Sequence, residues 1–116
     1  MNTVRVVCQQ LAPRIADAEH NRTLSAEAIR GAAALGAQVV VLPGLMQSGY
    51  VFNDRAEAFA VSETLQGPTL CLWKSLASEL NIIVVAGFCE QLEDGQVANS
   101  AALIEPEGRL TVYRKA

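Results

Sequence analysis

Short apolar runs alternate along the chain with segments in which apolar residues recur every three or four positions. Residues 4–10, 39–42 and 82–86 are runs rich in β-branched side chains, and we interpret them as strands. The second and third of these runs are apolar at every position, which is typical of strands buried on both faces of a sheet. Pro43 and Gly44 follow the second run, and the loop at the carboxyl end of such a strand is a common place for a functional group.

A helix is predicted between the first two strands. Asp17 or Asn21 can cap its amino end, and the sequence does not decide between them. Gly36 is expected to end the helix in a left-handed conformation. Four apolar residues spaced by four, four and three positions define the buried face of this helix: Leu24, Ala28, Ala32 and Leu35.

Two more helices are predicted between the second and third strands. Asp54 followed by Glu57 resembles a capping box, so a short helix is expected from there through Ala60. Pro68 occupies the first position of a longer helix, and Asn81 is expected to end it. The apolar stripe of this longer helix consists of Leu70, Trp73, Leu76, Ala77 and Leu80.

The last part of the chain predicts two further strands. A polar connection is expected over residues 87–99, with a tight turn at Asp94 and Gly95. Residues 100–105 and 109–115 are then predicted as the fourth and fifth strands. In the fifth strand one face carries Leu110, Val112 and Arg114, and the other carries Thr111, Tyr113 and Lys115.

These elements predict an α/β fold with one mixed sheet and its sizeable helices on one face. The other face would then be an apolar surface that needs a second layer, from another subunit or from the rest of a longer chain. Because the chain stops inside its last predicted strand, we expect residues 1–116 to be a truncated portion of one domain.

Composition narrows the classes of function. Apolar residues make up 51% of the 116 residues, yet no apolar run approaches the ~18 residues of a membrane span. The first residues lack the features of a signal peptide, so a cytoplasmic location is expected. The net charge is −3 and the basic residues do not cluster, which argues against a nucleic-acid partner.

Few residues other than Lys115 suggest chemistry. Cys8, Cys71 and Cys89 are odd in number and far apart, so buried inert thiols are expected rather than disulfides or a zinc site. His20 is the single histidine and is interpreted as a solvated helix residue. No phosphate-binding loop is present, and no cofactor or metal is predicted. The acidic residues of the second half are interpreted as a solvated rim, mostly in turns: Glu90, Glu93, Asp94, Glu105 and Glu107.

The order of motifs along the chain resembles the amino-terminal part of the nitrilase, or carbon-nitrogen hydrolase, superfamily. Each motif alone is weak, but their order and spacing together are fairly specific. The matching segments are Gln9-Gln10, Asn21, residues 36–43, 48–50, 67–69, 99–101 and 106–108, and finally Tyr113-Arg114-Lys115-Ala116.

This resemblance implies part of a four-layer α-β-β-α sandwich with a Glu-Lys-Cys triad that hydrolyses small amides or nitriles through a thioester. It implies that Lys115 is the triad lysine, which would stabilise the tetrahedral intermediate. Gly44 stands where the family has its glutamate, so the general base is missing. The family's cysteine would lie beyond residue 116, and none of the three cysteines matches it.

The resemblance therefore implies that the parent protein is an amidase. We expect the portion of it that this chain represents to be inactive by itself. The expected partners are a small amide or nitrile substrate and, for the whole protein, further copies of itself. The alternative is a non-catalytic module of the same fold that oligomerises or binds a partner through its bare sheet face. A third, weaker alternative is an unrelated flavodoxin-like binding domain, which would lack its phosphate loop.

Overall fold

The computed structural model describes residues 3–49 and 55–115, which form one five-stranded sheet with three helices. The predicted capping residue Asp54 and the family-like Tyr50 lie outside the described residues. In chain order the elements are β1 (Val6–Cys8), α1 (Ala18–Ala34), β2 (Val39–Val41), α2 (Arg55–Val61), α3 (Pro68–Leu80), β3 (Ile83–Gln91), β4 (Val97–Ile104) and β5 (Leu110–Arg114).

The strands lie side by side in chain order, and the sheet is mixed. β1, β2 and β3 are parallel, whereas β3, β4 and β5 pair antiparallel in succession. Two antiparallel steps return β5 to the direction of β3. The carboxyl ends of β2, β3 and β5 therefore meet at one edge of the sheet, which is called the carboxyl edge below.

Helix α1 has the boundaries that its capping chemistry dictates. The Asp17 side chain accepts a hydrogen bond from the His20 backbone N–H at 3.1 Å, so Asp17 and not Asn21 is the cap. After the helix, Gly36 has φ of 81° and donates its N–H to the Ala33 carbonyl, as predicted.

Helix α3 also begins and ends where the sequence predicts. Pro68 is its first residue, and Asn81 ends it in the left-handed conformation with φ of 52°. The indole N–H of Trp73 donates to the Ser25 hydroxyl of α1 at 2.9 Å, and both residues are fully buried. Because a buried indole N–H needs an acceptor, this bond fixes how the two helices pack.

Both long helices pack on the same face of the sheet, as predicted, and this face is called the core face. Ile29 and Ala32 of α1 and Leu70 of α3 belong to the same buried cluster as the strand residues. The strand residues of this cluster occupy alternate positions on one face of neighbouring strands: Val40, Val84, Ala86, Phe88, Ala102 and Ile104. Leu110 and Val112 extend the cluster onto β5.

The opposite side of the sheet is called the open face. Its large exposed apolar residues are Val6, Leu103 and Tyr113, which is 67% exposed. At the carboxyl edge it has local cover, where Ala58 of α2 packs with Leu45 and Cys89. The expected apolar surface without a second layer is therefore present in the described part of the chain.

The third strand is longer than predicted, and the predicted polar connection over residues 87–99 is wrong. β3 continues to Gln91 and pairs with β4 in an unbroken ladder from Val84–Ile104 to Gln91–Val97. Gly87 ends the apolar run in the sequence but does not end the strand, because the pairing with β4 continues through Gly87 and Ala101. The turn at Asp94 and Gly95 is where it was expected. The connection between the two strands is shorter than predicted, because β3 ends at Gln91 and β4 begins at Val97.

Candidate functional site at the carboxyl edge

The turn that follows β2 lies directly on β3. Gly87 of β3 donates its N–H to the Pro43 carbonyl at 3.2 Å and accepts from the Gln47 N–H at 3.3 Å. An ideal Cβ on Gly87 would lie 2.3 Å from the Leu45 nitrogen and 2.6 Å from the Gly44 Cα. Only glycine permits this approach, because the obstructing atoms are backbone. Gly44 is thereby held above the open face of β3.

Gln47 fixes the conformation of this turn. Its side-chain amide donates to the Val61 carbonyl at 2.6 Å and to a Glu63 carboxylate oxygen at 2.8 Å. Its side-chain oxygen accepts from the Cys89 N–H at 3.1 Å. Gln47 itself is 1% exposed, so its amide depends on these three bonds and not on water. A fully satisfied buried amide of this kind specifies one backbone arrangement.

Two further polar residues complete this support. Asn21 of α1 donates to the Gln47 carbonyl at 3.0 Å and makes two bonds of 2.7 Å with the Arg14 backbone. Glu63 accepts from the Thr69 N–H at 2.8 Å and from the Thr69 hydroxyl at 2.6 Å, so it also caps α3. The turn is thus tied to both long helices.

Lys115 lies at the same edge and on the same face as the turn. Its N–H donates to the Asn99 carbonyl at 2.9 Å, which continues the β4–β5 ladder by one residue. Cys89, Asn99 and Lys115 therefore form one row across the open face, next to the row of Gly87, Ala101 and Tyr113. The lysine side chain is exposed on this face.

The structure brings Gly44 and Lys115, the two sequence-predicted site positions, to one region. From Gly87, beneath Gly44, Lys115 lies two strands across and two residues along, or about 10 Å and about 7 Å. Asn99 lies between them, and its Oδ1 is buried with no hydrogen-bond partner among the described residues.

Glu90 was predicted as part of a solvated rim, and that prediction is wrong. Its side chain is 3% exposed and lies on the core face of β3. It accepts from Arg114 Nε at 2.8 Å, from Arg114 Nη2 at 2.7 Å and from the Ser100 hydroxyl at 2.8 Å. These bonds raise the pKa of the Arg114 guanidinium above its usual range. The bidentate pairing with Arg114 offsets the cost of removing the Glu90 carboxylate from water.

The cysteines and the histidine are peripheral to this arrangement. Cys8 and Cys71 are exposed, which contradicts the expectation that all three thiols are buried. Cys8 is on the uncovered face of the outermost strand, and Cys71 is on the outward side of α3. Cys89 is buried, and desolvation raises the pKa of its thiol. His20 lies on α1, and its side chain is partly exposed to solvent.

Sequence reasoning missed Gln47 and Glu63, two of the residues that hold the site together, and named Asn21 only as a possible cap and as a family-like residue. The hydrogen bonds among these three residues are not indicated by any motif spacing, because the residues come together only in the fold. Glu90 carried a usable signal: Phe88 and Glu90 alternate with Gly87 and Cys89 in strand fashion. Within the described residues, no group of three or more His, Cys, Asp and Glu side chains could hold a metal ion.

Comparison with known proteins agrees with this fold. The chain matches the carbon-nitrogen hydrolase family over residues 5–116. It is 35% identical over 114 residues to a nitrilase of Pyrococcus abyssi, covering 97% of this chain and 43% of that protein. It is 32% identical over 112 residues to an (R)-stereoselective amidase of a Pseudomonas species, covering 97% and 39%.

A solved structure is similar in the same region. A CN-hydrolase superfamily protein of Xanthomonas campestris superimposes with a TM-score of 0.86 at 27% identity, covering 99% of this chain and 41% of that one. The chain belongs to the carbon-nitrogen hydrolase family, whose members among its relatives include nitrilases and amidases. It spans about two fifths of the length of these relatives.

None of the described helices is both long and apolar enough to cross a membrane.

Proposed function

We propose that this chain supplies the amino-terminal portion of an amidase that hydrolyses the carbon-nitrogen bond of a small carboxamide. The proposal is supported by one observation above all. Lys115 and the rigid turn carrying Gly44 lie at one edge and on one face of the sheet. A cytoplasmic location and assembly of the whole protein into oligomers remain predictions that accompany this proposal.

In the proposed reaction, the Lys115 ammonium stabilises the oxyanion that forms when a cysteine thiolate attacks the amide carbon. The cysteine comes from the part of the relatives that this chain does not span. The leaving nitrogen takes up the proton that the family's glutamate removes from the thiol, so ammonia leaves as the tetrahedral intermediate collapses to a thioester. Water then hydrolyses the thioester to the acid and the free thiol. A cation fixed where negative charge develops is a large contribution to such a rate.

We further propose that the chain is inactive by itself, because Gly44 provides no general base and none of its three cysteines matches the family's nucleophile. A missing acid–base group typically costs about 10²- to 10⁴-fold in rate. Gly44 is not among the residues with positive φ, so its backbone dihedrals do not require glycine. Glu63 and Glu90 do not replace the base, since the first caps α3 and the second lies on the core face.

The test measures ammonia release from an aliphatic amide by the purified 116-residue chain. No release above that of the Lys115→Ala variant is expected. Release that Lys115→Ala abolishes would show that the chain is active despite Gly44, and would overturn the proposed inactivity.

The second candidate is a non-catalytic module that dimerises through the open face. It is favoured by the exposure of Val6, Leu103 and Tyr113 on that face. Sedimentation equilibrium separates the two candidates: a folded homodimer supports the module, whereas a monomer or an aggregate supports a portion of an amidase. Leu103→Asp would dissociate the dimer that this candidate requires.

A further inference from the structure

We propose that Glu90 is a positioning residue for Lys115, because it clamps Arg114 on the core face and thereby presents the next residue on the open face. This proposal rests on the proposed function, in which the Lys115 ammonium contacts the reacting amide. Glu90 itself contacts no reacting atom, since the sheet separates it from the open face.

The clamp has the geometry of a strong directional contact. Arg114 donates from Nε and from Nη2 to the two different carboxylate oxygens of Glu90, at 2.8 and 2.7 Å. The planar guanidinium and the carboxylate are therefore matched in orientation as well as in charge. The Ser100 hydroxyl donates to Glu90 Oε1 at 2.8 Å and fixes the rotation of the carboxylate.

Glu90 is a fixed anchor because its backbone is held on both sides. On one side it pairs with β4 opposite Ala98. On the other side residue 63 runs beside it: the Glu63 N–H donates to the Cys89 carbonyl and the Gln91 N–H donates to the Glu63 carbonyl, both at 2.9 Å. The side chain that receives Arg114 thus belongs to the interior of the sheet.

Lys115 needs such an anchor, because β5 pairs with only one described strand. At its end, the Lys115 N–H donates to the Asn99 carbonyl, and this backbone bond continues the ladder by one residue. Strand ends of this kind open readily. Since neighbouring residues of a strand point to opposite faces, fixing Arg114 on the core face fixes the direction of Lys115 on the open face.

Packing alone does not fix Arg114. Its side chain is 49% exposed and borders a cleft of about 490 Å³, together with Thr64, Leu65 and Glu93. The direction of the guanidinium is therefore set by its hydrogen bonds to Glu90. A buried ion pair is weak evidence for stability, and specification of one arrangement is the better-attested use of such pairs.

The test compares Glu90→Gln with Glu105→Gln. Glu105 is the matched control, because it pairs with Arg109 at the other end of β5 at 3.7 Å and lies far from the carboxyl edge. Glu90→Gln removes the same charge but leaves an amide N–H₂ facing the guanidinium. Amide hydrogen exchange of Lys115 is expected to quicken by about tenfold or more in Glu90→Gln and to be unchanged in Glu105→Gln.

The functional readout uses the full-length protein carrying Gly44→Glu, assayed by ammonia release. Adding Glu90→Gln is expected to lower kcat by about 10- to 100-fold with little change in KM, as for a misplaced reacting group. Adding Glu105→Gln is expected to change neither. Arg114→Lys keeps the charge but not the bidentate contact, so an intermediate loss of kcat is expected. This variant replaces Glu90→Gln in the comparison if Glu90→Gln does not fold.

Equal kcat values in the Glu90→Gln and Glu105→Gln backgrounds would overturn the proposal, as would unchanged exchange of the Lys115 amide. If Gly44→Glu restores no ammonia release, the proposed function fails. The role of Glu90 in holding Arg114 and Lys115 is then tested by amide hydrogen exchange of Lys115 in Glu90→Gln and Glu105→Gln alone.

Discussion

The contact between the turn and β3 can be tested by adding one methyl group at Gly87. In Gly87→Ala the new Cβ would lie 2.3 Å from the Leu45 nitrogen and 2.6 Å from the Gly44 Cα. Ordinary contact begins at 3.4 Å, so the turn must move away by about 1 Å. Two hydrogen bonds join the turn to Gly87, and this movement lengthens both of them.

The cost follows from these two effects. Overpacking against rigid neighbours typically costs about 1–3 kcal/mol. The two lengthened backbone bonds add about 0.5–1.5 kcal/mol each. A loss of about 2–6 kcal/mol in the free energy of unfolding is therefore expected, which in a chain of this size lowers Tm by about 8–24 °C.

Thermal unfolding followed by circular dichroism measures this loss, and the chain offers a matched control. Gly31 is an exposed residue inside α1, and a Cβ there meets nothing within 4 Å. Gly31→Ala is expected to stabilise the protein by about 0.5–1 kcal/mol, since alanine is the better helix former. If Gly87→Ala unfolds at the wild-type temperature, the turn is not seated on β3 as described.

Two further predictions concern the surroundings of the site. Gln47→Leu leaves the Cys89 N–H and a Glu63 oxygen without their buried partner, so a loss of about 2–4 kcal/mol is expected in urea unfolding; a midpoint unchanged within error would contradict the role given to Gln47. In the native protein a chromogenic disulfide reagent is expected to titrate Cys8 and Cys71 rapidly and Cys89 only on unfolding, because burial both hides the Cys89 thiol and raises its pKa. Rapid titration of three thiols would contradict this burial.

Much of the fold could be predicted because local signals agree with the tertiary structure. The caps at Pro68 and Asn81, the turn at Gly36 and the alternation of β5 each depend on neighbouring residues in the chain. The single-sided packing of the long helices could also be predicted, since apolar strands outnumber the helices available to cover them.

The rest depends on contacts between distant parts of the chain. β3 runs past Gly87 because β4 supplies its ladder bonds, and no pattern around a glycine indicates this. Gln47 and Glu63 become partners only when the turn and the segment before α3 meet at β3. Of the site, the positions of Gly44 and Lys115 came from resemblance, whereas the network that holds them came from the structure.

The central claim is that Gly44 marks the place of a missing carboxylate opposite Lys115. The measurement that tests it most directly is ammonia release from an aliphatic amide by the full-length protein carrying Gly44→Glu. An increase of about 10²-fold or more over the parent protein is expected, and Lys115→Ala in the same background should abolish it. Activity that is unchanged by Gly44→Glu, or that survives Lys115→Ala, would contradict the account.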